Sequence, residues 1–238
     1  MDQRVAIVFG GSSGIGEATA RALVANGARV TIAGRDAAKL AAAAERIEGV
    51  QTAVADARDR DAVARVFDAA GSVDDVVICV TGGKGAGAFR DLDLDELRGA
   101  LEAKTLAQLR VAQIAARHVK PGGSITFVTA ASPRSVIRGT AGLAVVNGGL
   151  EAAIPILAVE LAPIRVNAVS PGIIATPWWD AMPAGAKDSM FATAAASLPV
   201  RRVGTPDEVA AVIALLVRSG FVTGSIYEVD GGSHLVTQ

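Results

Sequence analysis

Short unbroken apolar runs alternate along the chain with longer stretches in which apolar residues recur every three or four positions. Val5-Ala6-Ile7-Val8-Phe9 lies in the first run and predicts a strand over residues 4–9; residues 16–26, closed by Gly27, predict a helix. The alternation repeats, with strands expected at 29–33, 50–55, 76–80, 124–129, 165–170 and 225–229 and helices at 36–47, 60–70, 93–118, 140–161 and 207–218. Strands that are apolar throughout, rather than at every second residue, are buried on both faces. With helices between them they predict an α/β fold: a doubly wound parallel sheet of about seven strands, covered by helices on both sides. Pro155 falls inside the 140–161 helix and is expected to kink or break it. No repeat, linker or low-complexity tract divides the 238 residues, which read as one domain.

Composition narrows the partners. Hydrophobic residues make up 51% of the chain, and 23 Lys and Arg stand against 24 Asp and Glu. That balance offers no basic surface for nucleic acid or an anionic membrane. Cys79 is the only cysteine, so no internal disulfide can form, and a reducing compartment fits. Met1-Asp2-Gln3-Arg4 leads into only five apolar residues, too few for a secretory signal, and the run at 209–217 is too short to span a bilayer. A cytoplasmic protein with a small-molecule substrate, and with neither membrane nor nucleic-acid partner, is expected.

The candidate chemistry begins where the first strand meets the first helix. Gly10-Gly11-Ser12-Ser13-Gly14-Ile15-Gly16 occupies that turn. Glycines there let backbone N–H groups approach a pyrophosphate, and the helix presents the positive end of its dipole. A glycine cluster alone is weak evidence, but this one has the strand–turn–helix setting that the chemistry requires.

The loop resembles the coenzyme loop of the short-chain dehydrogenase/reductase family, and the likeness runs the length of the chain. Asp56-Ala57 resembles the segment whose acidic residue is placed on the adenine, and Gly82 lies in a turn near the adenosine. Arg165 to Ser170, then Pro171, Gly172, Ile174 and Thr176, resemble the strand and loop at the nicotinamide end; residues 224–232 match the last strand. The resemblance implies coenzyme contacts from Gly10, Ser12, Ser13, Gly14, Ile15, Gly16, Asp56, Ala57, Gly82, Asn147, Pro171, Gly172, Ile174 and Thr176, with no metal. NAD enzymes of this kind end the second strand in a carboxylate. Here Gly34 occupies that place and Arg35 follows, so a 2′-phosphate, and hence NADP(H) over NAD(H), is favoured.

The family's acid/base residues are not found. Its tyrosine falls on Leu143, its lysine on Asn147, its serine on Ala130 and its helix asparagine near Lys104; Tyr227, the only tyrosine, lies in the last strand. A missing general acid costs about 10²–10⁴-fold in rate, which cripples reduction without forbidding it. Thr129 is a possible substitute for binding a substrate oxygen. Arg134 and Arg138 could hold a carboxylate or oxyanion. Lys104 could act as an acid only if burial lowered its pKa; the commoner reading is a surface or structural lysine. Trp178, Trp179, Met182, Met190 and Phe191 are expected to wall an apolar substrate pocket under a lid over 177–199, and the 93–118 and 140–161 helices to pair subunits into a homodimer or homotetramer. Three functions follow: an NADP(H)-dependent oxidoreductase on a small apolar carbonyl or alcohol, a catalytically inactive coenzyme binder, or a non-redox enzyme on the same fold.

Overall fold

The computed structural model describes residues 3–183 and 185–236. The Met1-Asp2 part of the N-terminal reading and Ala184 of the expected lid lie outside the described residues. Seven parallel strands form one sheet in the order β3-β2-β1-β4-β5-β6-β7. They are β1 (Val5–Phe9), β2 (Arg29–Gly34), β3 (Gln51–Val54), β4 (Val73–Ile78), β5 (Val119–Val128), β6 (Arg165–Pro171) and β7 (Ile226–Val229). The helices are α1 (Gly14–Ala25), α2 (Ala37–Arg46), α3 (Arg60–Ala70), α4 (Leu94–Ala100), α5 (Ala107–Ala115), α6 (Ala141–Glu160), α7 (Ala186–Ser197) and α8 (Pro206–Arg218).

The apolar strands are buried on both faces, as their unbroken hydrophobicity requires. Ile7 and Phe9 point to one side, into a core with Phe67, Val111, Phe127, Leu150 and Ile154. Ala6 and Val8 point to the other, toward Leu23, Ile32, Leu40, Val169 and Ile213. The helices that cover the first core come from α3, α5 and α6, those that cover the second from α1, α2 and α8. The strand order reverses between β1 and β4, and a sheet of this kind opens a ligand crevice at the carboxyl ends of the strands there.

Three elements depart from the sequence reading. The expected 93–118 helix is three pieces: α4, a π-helical turn over Leu101–Leu106, and α5. A one-residue widening of the helix leaves no mark on hydrophobic periodicity, so it was not legible. α6 runs through Pro155 without a break, its apolar face held by Leu150 and Ile154 in the core. The segment after β6 carries a 3₁₀ turn (Pro177–Ala181) and the helix α7, which its poorly periodic sequence did not announce.

α6 is also long and apolar enough to cross a membrane by length and composition alone. One third of that stretch is buried, through residues such as Leu150 and Ile154, while Val145, Ile156 and Val159 remain exposed.

Candidate active site

The turn after β1 is built of backbone packed on backbone. The Gly10 amide donates to the Ala33 carbonyl at 2.7 Å, which ties the turn to β2. Gly10 has φ +77°, and a Cβ there would stand 2.7 Å from the Cys79 carbonyl oxygen. A Cβ on Gly16 would stand 2.1 Å from the Gly10 carbonyl oxygen. Neither position admits a side chain without moving the main chain. Ser13 caps α1 in extended backbone, but its side chain makes no capping hydrogen bond. The first-turn N–H groups are therefore left for an anion. Glu17, the one acid of that turn, is held by Arg46 at 2.8 and 2.9 Å, which offsets its repulsion of a phosphate.

The loop after β6 closes over this turn. A Cβ on Gly14 would lie 3.2 Å from Thr176 Cγ2, so two sequence-distant candidates meet. Pro171 ends β6, Gly172 donates to the Val229 carbonyl at 3.0 Å, and Ile174 is buried in the core beside β7. Ile15 packs against the same core. Gly82 sits above the π-helical turn, 3.8 Å from Lys104 Cβ when given a Cβ of its own.

At the other end of the crevice, Ser12 Oγ lies 3.8 Å from the Cβ that Gly34 lacks. Arg35 is exposed beside it, and Asp36, not Arg35, caps α2 by accepting from the Lys39 amide at 3.0 Å. Asp56 follows β3 with Ala57 buried beside it. Its carboxylate is engaged by Arg58 through 3.1 and 2.7 Å hydrogen bonds, which hold it below the usual carboxylate range, with Arg35 adding to the effect. Sequence reasoning missed Arg58. The signal was its charge two residues after Asp56, where the side chains can meet in a turn.

The chemical end holds no phenol. Ala130 follows β5, and Leu143 lies half-buried in the first turn of α6. Asn147 is buried, its Nδ2 donating to the Leu143 carbonyl at 2.9 Å and to Ser132 Oγ at 3.2 Å. Its Oδ1 is buried with no hydrogen-bond partner. A buried acceptor left open is costly, and a donor such as a sugar hydroxyl would satisfy it.

Two of the sequence readings need correction here. Thr129 does not offer a free hydroxyl: it is buried, and its Oγ1 donates to Glu151 Oε1 at 2.8 Å. Alternation along the strand sends residue 129 to the opposite face from residue 130. Lys104 is not at the surface. It is 7% exposed, and its Nζ donates to the Thr129 carbonyl at 3.0 Å. Burial pushes its ammonium down to about 8, against partial support from Cys79 and Glu151. Burial likewise pushes the Cys79 thiol up to about 12, so it stays protonated.

Glu151 is the hub that sequence reasoning passed over. Its second oxygen meets Arg134 at 3.1 Å, and Arg134 meets Glu228 of β7 at 3.2 Å. Arg134 is thus engaged by two carboxylates, while its Nη1 is buried without a hydrogen-bond partner. On the lid side, Trp178 and Trp179 meet edge to face at 4.5 Å, and Trp179 meets Phe191 at 6.0 Å. Trp179 Nε1 donates to the Ile174 carbonyl at 2.8 Å, which anchors this aromatic group to the loop after β6.

Comparisons with known proteins agree with this arrangement. A family profile described as enoyl-(acyl carrier protein) reductase matches residues 10–234. A cis-4-hydroxycyclohexanecarboxylate dehydrogenase of Sinomonas cyclohexanicum is 35% identical over 97% of this chain and 96% of its own. The short-chain reductase protein NovJ of Streptomyces niveus is 33% identical over 97% of this chain and 94% of its own. Among solved structures, a small-chain dehydrogenase in complex with NADPH superposes with a TM-score of 0.86 at 30% identity, covering 99% of this chain and 100% of the other.

Proposed function

The chain belongs to the short-chain dehydrogenase/reductase family, and from that premise we propose that it is an NADP(H)-dependent oxidoreductase of a small apolar carbonyl or alcohol whose proton does not come from a tyrosine. The reading rests above all on the close-packed glycine turn, where neither Gly10 nor Gly16 has room for a Cβ and the first turn of α1 carries no side-chain cap. A bound reduced nicotinamide would supply the hydride. The N–H groups of Gly14 to Gly16 and the start of α1 hold the pyrophosphate. Arg35, with Ser12 at its side, takes the 2′-phosphate in place of the carboxylate that would select NAD. Asn147 Oδ1 would accept from a ribose hydroxyl, and Thr176, which meets Gly14, would line the nicotinamide end. Ala130 and Leu143 leave the reacting face apolar and exclude water, while Trp178 and Phe191 form the wall against which an apolar substrate packs. One dinucleotide-binding domain spans the chain, which works in the cytoplasm as a dimer or tetramer paired through α4, α5 and α6.

The alternative, an inactive coenzyme binder, is supported by the four replaced positions Lys104, Ala130, Leu143 and Asn147. A panel of aldehydes and ketones followed at the NADPH absorbance band separates the two. Turnover above the uncatalysed rate supports the oxidoreductase. No turnover by the wild type, with activity created by Leu143→Tyr and Asn147→Lys together, would decide for the binder.

A further inference from the structure

Lys104 is a charge in a place where the fold has no need of one. Its amine lies where three elements converge. The π-helical turn carries it, the end of β5 supplies its acceptor at the Thr129 carbonyl, and Gly82 past the end of β4 lies over its Cβ. Thr105, the next residue, donates to the Val146 carbonyl at 2.7 Å and so fixes the same turn against α6 one residue before Asn147. These elements also carry Ala130, Leu143 and Asn147, the positions that frame the missing phenol. Among the described residues Lys104 forms no ion pair, and the Thr129 carbonyl is its only acceptor. An ammonium has three donors, so two N–H bonds remain without a protein acceptor.

A buried lysine without an ion pair lowers stability, and methionine or leucine would fill the same space at less cost. Placing it in a π-helical turn adds a second local expense, and such turns concentrate at functional sites. Two unfavourable features meeting at the strand ends of a ligand-binding sheet point to chemistry.

We propose that Lys104 is the proton reservoir of this site, taking the part that a phenol would play; the proposal rests on the coenzyme reading given above. In reduction the carbonyl carbon receives hydride, and the C=O π pair moves to oxygen. That oxygen takes a proton from Nζ, whose N–H bond breaks to leave a neutral amine, and water then restores the proton. In the reverse direction the neutral amine accepts the hydroxyl proton. The titratable groups facing the amine are Cys79 from the end of β4 and Glu151 from α6, with Arg134 beyond Glu151. Cys79 stays protonated, and Glu151 is bound to Thr129 and Arg134, so Lys104 is the group in the cluster that changes charge near pH 8.

The test compares oxidised and reduced coenzyme, which differ by the positive charge on the nicotinamide ring. Calorimetric titrations with NADP⁺ and with NADPH at pH 8, each in two buffers of different ionisation enthalpy, give the protons exchanged on binding. If Lys104 faces the ring, NADP⁺ expels a measurable fraction of a proton that NADPH does not. The difference disappears in Lys104→Met and persists in Cys79→Ala. Lys104→Met removes a buried charge and so is expected to fold; Lys104→Gln serves as a second variant. Equal proton counts for the two coenzymes, or a difference that survives in both Lys104 variants, would overturn the proposal alone. Absence of heat with either coenzyme would overturn it together with the coenzyme reading.

Discussion

At the turn after β1 the surface is main chain: Gly10, Gly14 and Gly16 carry no side chains, and the first turn of α1 has no side-chain cap. Around the end of β5 and the start of α6 it is side chains. Leu143 and Ala130 bring no proton, Asn147 has an open acceptor, and Lys104 stands buried between them and Glu151. Backbone sites are kept by geometry, because a Cβ at Gly10 or Gly16 collides with a carbonyl. Side-chain sites can be exchanged one residue at a time while the sheet remains intact.

The sharpest way to break that contrast is to place a side chain in the cradle. Gly16→Val drives a Cβ toward the Gly10 carbonyl and is expected to weaken NADPH binding by at least about 10³-fold, roughly 4 kcal/mol, in a calorimetric titration. Undiminished binding would show that the amides there do not face the coenzyme. Next in size is Glu151→Ala, which leaves Thr129 and Arg134 without their shared carboxylate. Breaking so buried a pair is expected to lower unfolding stability by about 3 kcal/mol in a denaturant titration, while the folded fraction still binds NADPH.

Lys104→Met works in the opposite sense and sharpens the comparison through pH. Lys104 has its pKa lowered in the folded state from 10.5 to about 8. Below about 8 both states carry the proton, and the folded state bears the full burial penalty. As pH rises toward 10.5 the folded amine is already neutral, so the penalty fades. The shift corresponds to about 3 kcal/mol, from which about 1 is subtracted for the lost hydrogen bond to the Thr129 carbonyl. The variant is expected to be more stable than wild type by about 2 kcal/mol at pH 7, with the gain lost by pH 10.5. A gain independent of pH would mean that the lysine is not a buried charge. The smallest effect is at the adenosine edge: Arg35→Ser is expected to weaken NADPH binding about 10-fold and leave NADH unchanged. Equal losses for the two coenzymes would deny Arg35 a role in reading the 2′-phosphate.

The same division explains what the sequence disclosed. Strand runs and helix periodicity gave the element order because burial on two faces writes itself into composition. The glycine turn was legible because its chemistry is local in sequence. Gly14 meeting Thr176 followed only from resemblance, since those residues are 162 apart in the chain (176 less 14). The Lys104–Thr129–Glu151–Arg134–Glu228 chain was not legible: its members come from the π-helical turn, the residue after β5, α6, a loop and β7, and each reads singly as an ordinary surface charge or strand residue. The depth of Lys104 depends on the π-helical turn, which hydrophobic patterning does not record.

The central claim is that a main-chain cradle grips a phosphorylated nicotinamide dinucleotide although the customary phenol beside it is gone. Isothermal titration of the wild-type protein with NADPH and, separately, NADH tests it most directly. The account predicts saturable one-site heat with NADPH and binding at least about 10-fold weaker with NADH, as a 2′-phosphate held by one arginine requires. No heat with either coenzyme would contradict it and leave the turn at Gly10–Gly16 as a mere connection between strand and helix.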